Sequence, residues 1–96
     1  MKGEIVNRRF SCFVISTVAE ITGLHPQTLR IYERKGLLLP DRTSGGSRRY
    51  SQTDIDTLTR IQELRKAGLN LAGIKKVLLL ESEIKELQQQ ISDVQF

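Results

Sequence analysis

A mainly α-helical fold, with a small β-hairpin and a C-terminal helix of coiled-coil pattern, is what this sequence predicts. Three observations predict it. Apolar residues recur every three or four positions in segments punctuated by Gly23, Gly36 and Gly68. A glycine pair, Gly45-Gly46, stands between two arginine-bearing stretches of strand character. From Leu80 onward the apolar spacing becomes 4, 3, 4, 3.

In chain order, residues 1–12 read as a flexible N-terminal tail, and Phe13, Val14 and Ile15 as a short strand or lead-in to the core. Ser16–Thr22 reads as a short helix. Ser16 or Thr17 can cap it, and Thr17 with Glu20 fits a capping box. Val18, Ala19 and Ile21 supply its apolar side, and Gly23 its left-handed stop. Leu24 and His25 make a turn, and Pro26 suits the first position of a second helix, where its missing N–H is no loss. That helix runs to about Lys35, with Leu29 inward, Ile31 or Tyr32 helping, and Gly36 at its end. Two short helices joined by so tight a turn outline a helix-turn-helix, whose second helix enters the major groove of DNA.

Leu37–Tyr50 holds Pro40 and the glycine pair, and predicts a hairpin with Gly45-Gly46 at its tip. A hairpin in that place is a wing. Ser51–Ala67 is the clearest helix: Ser51 and Asp54 start it, Ile55, Leu58, Ile61 and Leu64 recur inward, and the row Leu58, Gln62, Arg65 drifts to the wet side. Gly68 ends it. Asn70 caps a fourth helix with Leu71, Ile74, Val77 and Leu78 inward. Ile84 and Ile91 then occupy a positions, and Leu80, Leu87 and Val94 d positions, of a heptad seam. A helix of two heptads is marginal alone and must pack on its own domain or on a second copy. The predicted organisation is a tail, a winged helix-turn-helix over residues 13–79 and a dimerisation helix over residues 80–96.

Composition narrows the function. With 96 residues the core is modest, and oligomerisation is the expected source of extra stability, because a lone cysteine, Cys12, makes neither an internal disulfide nor a metal site. The formal net charge is +4, and it is concentrated. Residues 25–50 carry Arg30, Arg34, Lys35, Arg42, Arg48 and Arg49 against Glu33 and Asp41. The rest of the chain is nearly balanced. Such a stretch suits nucleic acid, although a solvated surface gives the same count. The basic N-terminus is followed by no apolar run, which predicts no secretion signal, and the longest aliphatic run, Val77–Leu80, is far too short for a bilayer. A cytoplasmic, nucleoid-associated protein without cofactor or metal is expected. No nucleophile, paired carboxylates or nucleotide loop point to an enzyme.

Ser16–Leu24, followed by Thr28-Leu29-Arg30-Ile31-Tyr32-Glu33-Arg34-Lys35-Gly36-Leu37, resembles the signature of the MerR family of transcription regulators. Pro40, Arg42 and Arg48 to Tyr50 continue the resemblance through the wing, and Gly68-Leu69 with Ile74 through the next helix junction, so that it covers residues 14–80. Gly23–Arg30, Pro40–Thr43, Gly45-Gly46 with Arg48–Ser51, Ser47 and Asn70–Lys75 are most similar to the HspR-type heat-shock repressor branch. The resemblance implies binding of promoter DNA as a dimer joined by a C-terminal coiled coil. For that branch it implies repression of chaperone operons with the chaperone DnaK as co-repressor.

The expected DNA-binding residues follow. Arg30 is the first, reaching a base edge or phosphate; its alternative is a solvated arginine paired with Glu33. Gln27 and Thr28 sit where side chains reach bases. Tyr32 is expected to offer its hydroxyl to a phosphate while its ring packs under the wing. Arg34 and Lys35 are cations at the helix end, and only Arg34 is placed in the site. On the wing, Arg42, Arg48 and Arg49 are candidates. Arg48 and Arg49 should lie on opposite faces, one toward DNA and the other bracing the domain through a carboxylate. Tyr50 packs at the wing base with a phosphate in reach. His25 is expected to serve the helix start or a phosphate. The seam Leu80, Ile84, Leu87, Ile91 and Val94 is expected to make a homodimer. Two other functions stay open at this point: an architectural DNA-binding factor of excisionase or nucleoid type, and a protein-interaction module.

Overall fold

Hydrogen bonding at the helix ends explains where the elements fall. The computed structural model describes residues 10–94. Among them the order is β1 (Ser11–Phe13), α1 (Ile15–Thr22), α2 (Pro26–Arg34), β2 (Asp41–Arg42), β3 (Arg48–Ser51), α3 (Gln52–Lys66) and α4 (Leu71–Val94). The mainly helical fold with a small hairpin is therefore present. The described chain falls into two compact units that divide between Gln62 and Glu63, within α3.

In the first unit the three strands form an antiparallel sheet in the order β1-β3-β2. The expected tail over residues 1–12 lies outside the described residues up to residue 9, but its last two residues, Ser11 and Cys12, form β1. Ser11 pairs with Ser51 and Phe13 with Tyr50, with a shift in register between them. The strand expected from Phe13 to Ile15 is thus displaced toward the N-terminus, because partners on β3 decide it. The displacement carries into α1. With only Val14 between strand and helix, α1 starts at Ile15, and neither Ser16 nor Thr17 caps it. Its first backbone bond is from Val18 N–H to the Val14 carbonyl at 3.1 Å.

Val18, Leu29, Leu38, Tyr50, Leu58 and Ile61 are fully or almost fully buried and form the core of this unit. Each aliphatic side chain among them contributes about 1.5–3 kcal/mol by leaving water. Leu58 therefore does not drift to the wet side. Ile21, expected on the apolar face of α1, is exposed. The α1 end is held instead by polar bonds: Thr22 Oγ1 donates to the Val18 carbonyl at 2.8 Å, and Gln62 Nε2 donates to the Thr22 carbonyl at 3.1 Å.

α2 ends at Arg34, with Lys35 as its C-cap. Gly36, at φ 80°, lets Leu37 N–H return to the Tyr32 carbonyl at 2.9 Å. That six-residue closure needs a left-handed residue, which glycine adopts without strain. α3 starts on a reciprocal pair. Ser51 N–H donates to Asp54 Oδ2 at 2.9 Å, and Asp54 N–H donates to Ser51 Oγ at 3.1 Å. Ser51→Ala is expected to lower stability by about 1 kcal/mol in urea denaturation, with the slope of the transition unchanged.

In the second unit, α3 ends at Lys66, and α4 begins under the Asn70 side chain, whose Oδ1 accepts from Gly73 N–H at 2.8 Å. Ile74 is fully buried, and Leu71, Val77 and Leu78 are half-buried. α4 is one helix of 24 residues, so the boundary expected at residues 79 and 80 is a change in side-chain pattern within a continuous rod. Leu80, Ile84, Leu87 and Ile91 are 53–60% exposed. None of the four is buried among the described residues. The Val94 side chain lies outside the described residues.

Candidate nucleic-acid interface

The second helix of the pair is set at its N-terminus by two neighbouring residues. His25 is its N-cap, and the Nδ1 atom accepts from Gln27 N–H at 3.0 Å. That bond fixes Nδ1 as the acceptor and leaves the ring's other nitrogen to carry the proton. Pro26 follows at the first helical position. His25 therefore serves the helix start, one of the two roles expected of it.

Leu29 and Tyr32 point into the core, at 0% and 3% exposure. The opposite stripe is Gln27, Arg30 and Arg34, at spacings of three and four that stack them on one side of the helix. Gln27 and Arg34 are exposed and Arg30 half-exposed. Arg30 Nη1 lies 3.4 Å from Gln27 Oε1, a long bond that leaves the guanidinium free to turn outward. Arg30 is not paired with Glu33. Thr28 is half-buried beside this stripe. The basic Arg34 sits in the last turn, where the helix dipole favours a cation.

Glu33 reaches the wing. In the hairpin Arg42 lies directly across from Arg48, and Asp41 across from Arg49. Arg42 and Arg48 therefore share one face of the ribbon, and Asp41 and Arg49 the other. Two like charges directly opposite each other destabilise a ribbon. Glu33 resolves this: Oε2 accepts from Arg42 Nη2 at 2.5 Å, and Oε1 accepts from Arg48 Nε at 2.6 Å. Desolvation pushes the Glu33 carboxyl up, but the hydrogen bond and charge of Arg48, with those of Arg42, outweigh it and hold the carboxyl below its ordinary 4.5. Arg42 also reaches the Gly46 carbonyl at 3.4 Å, across the tip. The tip closes through Thr43, whose N–H donates to the Ser47 carbonyl at 2.9 Å and whose Oγ1 accepts from Ser47 N–H at 3.2 Å.

Opposite faces for Arg48 and Arg49, one of them bracing through a carboxylate, are what the hairpin displays. Arg49 donates to the carbonyl of Arg48, at 3.0 Å, on the face away from Glu33. Arg42, the matching arginine on the other strand, shares the bracing carboxylate as well. Tyr50 is fully buried at the wing base, and its hydroxyl, also buried, has no hydrogen-bond partner among the described residues. Burial pushes its phenol up. A phosphate outside cannot reach that oxygen without a rearrangement, so Tyr50 supports the wing from within. Tyr32 is likewise a core residue first. The structure thus gathers Gln27, Thr28, Arg30 and Arg34 on α2, and places Arg49 on the far side of the ribbon. Sequence reasoning missed Glu33 as the link between helix and wing, and Gln62 as the link between α3 and α1.

Residues 13–81 match the family of MerR helix-turn-helix regulatory proteins. The chain belongs to that family. Among individual MerR-family relatives, heat shock protein HspR of Streptomyces coelicolor is 51% identical over 83 residues, covering 85% of this chain and 55% of that protein. The regulator GlnR of Bacillus anthracis is 40% identical over 86 residues, covering 83% of this chain and 67% of that protein. Among solved structures, the crystal structure of HiNmlR, a MerR family regulator lacking its sensor domain and bound to promoter DNA, superposes with a TM-score of 0.62. It is 28% identical, covering 85% of this chain and 74% of that one. The chain spans just over half the length of the HspR relative. GlnR and HiNmlR are transcription regulators. Among the described residues no group of three or more His, Cys, Asp and Glu is placed to hold a metal, and Cys12 is a free, exposed thiol. No described helix is long and apolar enough to cross a membrane.

Proposed function

We propose that this MerR-family chain is a sequence-specific repressor of heat-shock (chaperone) genes that grips an inverted repeat as a homodimer. The observation that carries the reading is the outward stripe Gln27, Arg30, Arg34 on a helix whose other side is anchored by Leu29 and Tyr32. A forked guanidinium on such a helix matches the O6 and N7 acceptors of guanine in the major groove. The exposed seam supports the dimer, because four large apolar side chains in one row favour a second copy over water. The choice of heat-shock genes rests on the identity with HspR. DnaK as co-repressor rests on resemblance to that branch alone.

Fluorescence anisotropy tests the reading on a chaperone-operon inverted repeat and on a scrambled duplex of equal length. The repeat is expected to bind at least about a hundredfold more tightly. Arg30→Ala is expected to lose about 1–3 kcal/mol per half-site and most of that preference. Equal binding to both duplexes would leave an architectural factor; binding to neither would leave an interaction module. Adding DnaK should tighten the complex with the repeat if the co-repressor role is correct.

A further inference from the structure

We propose that Glu33 is a specificity-determining residue that withholds Arg42 and Arg48 from the DNA backbone and holds the wing in register with the recognition helix. The inference rests on the DNA-binding reading above. It starts from geometry: one carboxylate on α2 engages the guanidinium of each wing strand, at 2.5 Å and 2.6 Å. The two arginines are cross-strand partners, so both side chains leave the ribbon from the same face, beside the one carboxylate. Their side chains remain 43% and 26% exposed, and that of Glu33 21%, so the cluster lies within reach of solvent and of any polyanion brought to this surface.

Free arginines attract any duplex equally, because phosphate contacts carry no sequence information. Each phosphate neutralised also steepens the fall of affinity with salt by about 0.9 in the logarithmic slope. A carboxylate that occupies two of the wing's three arginines therefore lowers indiscriminate attraction. It also leaves Arg49, on the opposite face, as the wing arginine available to a phosphate. Discrimination then falls to the α2 stripe, whose orientation relative to the wing is fixed by the same carboxylate. Glu33 acts through other side chains and touches no base itself; it is a positioning residue.

Glu33→Gln separates this role from a merely structural one. The change keeps the shape and removes the charge, leaving two adjacent guanidiniums without their counter-ion. Binding to the scrambled duplex is expected to strengthen roughly tenfold near 0.1 M salt, and the salt slope to steepen by about 1.8, the share of two further phosphates. The preference for the repeat narrows accordingly. Adding Arg42→Ala and Arg48→Ala to the Glu33→Gln variant is expected to return the slope to the wild-type value. Arg42→Ala alone, in the presence of Glu33, leaves the wild-type slope unchanged.

Two results overturn the proposal. Parallel weakening on both duplexes, with a lower Tm, would make Glu33 a structural brace only. A shallower slope for Arg42→Ala alone would show that Arg42 already contacts phosphate in the wild type. The lock is also read without DNA, from the arginine Nε–Hε resonances: that of Arg48 is expected to be protected from exchange in the wild type and lost in Glu33→Gln. A protected resonance together with no wild-type preference between duplexes would sink the regulator reading, and the specificity role with it, while leaving the lock itself standing. An unprotected wild-type resonance would sink the lock alone.

Discussion

Leu87→Asp is expected to convert the chain to a monomer and to weaken binding to an inverted repeat by about a hundredfold or more. Leu87 is a d position of the seam and is 57% exposed in the single chain, so its replacement removes nothing from the chain's own core. In a paired helix the same position lies in the buried seam between the two copies. A carboxylate there must be desolvated on association, which a two-heptad seam cannot offset. Loss of the pair removes the gain of holding two half-sites at once, a factor on the order of 10²–10⁴. Sedimentation equilibrium reads the assembly and anisotropy the affinity. Ser82→Glu, a change at an exposed position off the seam, is the control and should leave both unchanged. A Leu87→Asp variant that remains dimeric would place the interface elsewhere.

Leu58→Ala is expected to have the largest effect on folding. Leu58 is 0% exposed in the part of α3 that completes the first unit. Truncating a fully buried leucine costs about 2–5 kcal/mol, from lost transfer energy and the cavity left behind. Domains of this size have only about 5–15 kcal/mol in total. At about 4–8 °C per kcal/mol, Tm should fall by roughly 8–40 °C in thermal melts followed by circular dichroism. Melts must be compared at one protein concentration, since association adds stability by mass action. A fall below a few degrees would mean that neighbouring side chains close the cavity.

Much of this was legible in the sequence wherever a local rule was enough. The glycines at positions 23, 36 and 68 mark helix ends because a left-handed backbone strains other residues, and Pro26 marks a start because the first helical position needs no N–H donor. Ser51 with Asp54 works for the same reason: both partners lie within one turn. The failures share a different cause. Thr17 and Glu20 have capping-box spacing, yet the start of α1 is set by β1, whose register depends on β3 almost forty residues later. Ile21 looked inward on apolar character alone, although Thr22 and Gln62 hold that end of the helix.

Glu33 was the more instructive miss. In the sequence it is one of two acids among six cations between residues 25 and 50, and a neighbour for Arg30. Its role becomes visible only when the hairpin register sets Arg42 opposite Arg48, because a shared anion is then required. Tyr50 followed similar logic. Its place at the wing base was readable, but the depth of its hydroxyl is set by the tertiary fold and not by its neighbours in sequence.

The β2 strand is only two residues long, and both Asp41 and Arg42 are exposed. It forms one edge of the sheet, and an edge so short and so charged is a poor template for another chain to extend. Runaway strand-to-strand stacking, the route to fibrils and to loss in concentrated preparations, is closed at that edge. In the proposed homodimer, self-recognition is left to the exposed helical row of α4, which saturates once its counterpart is in place.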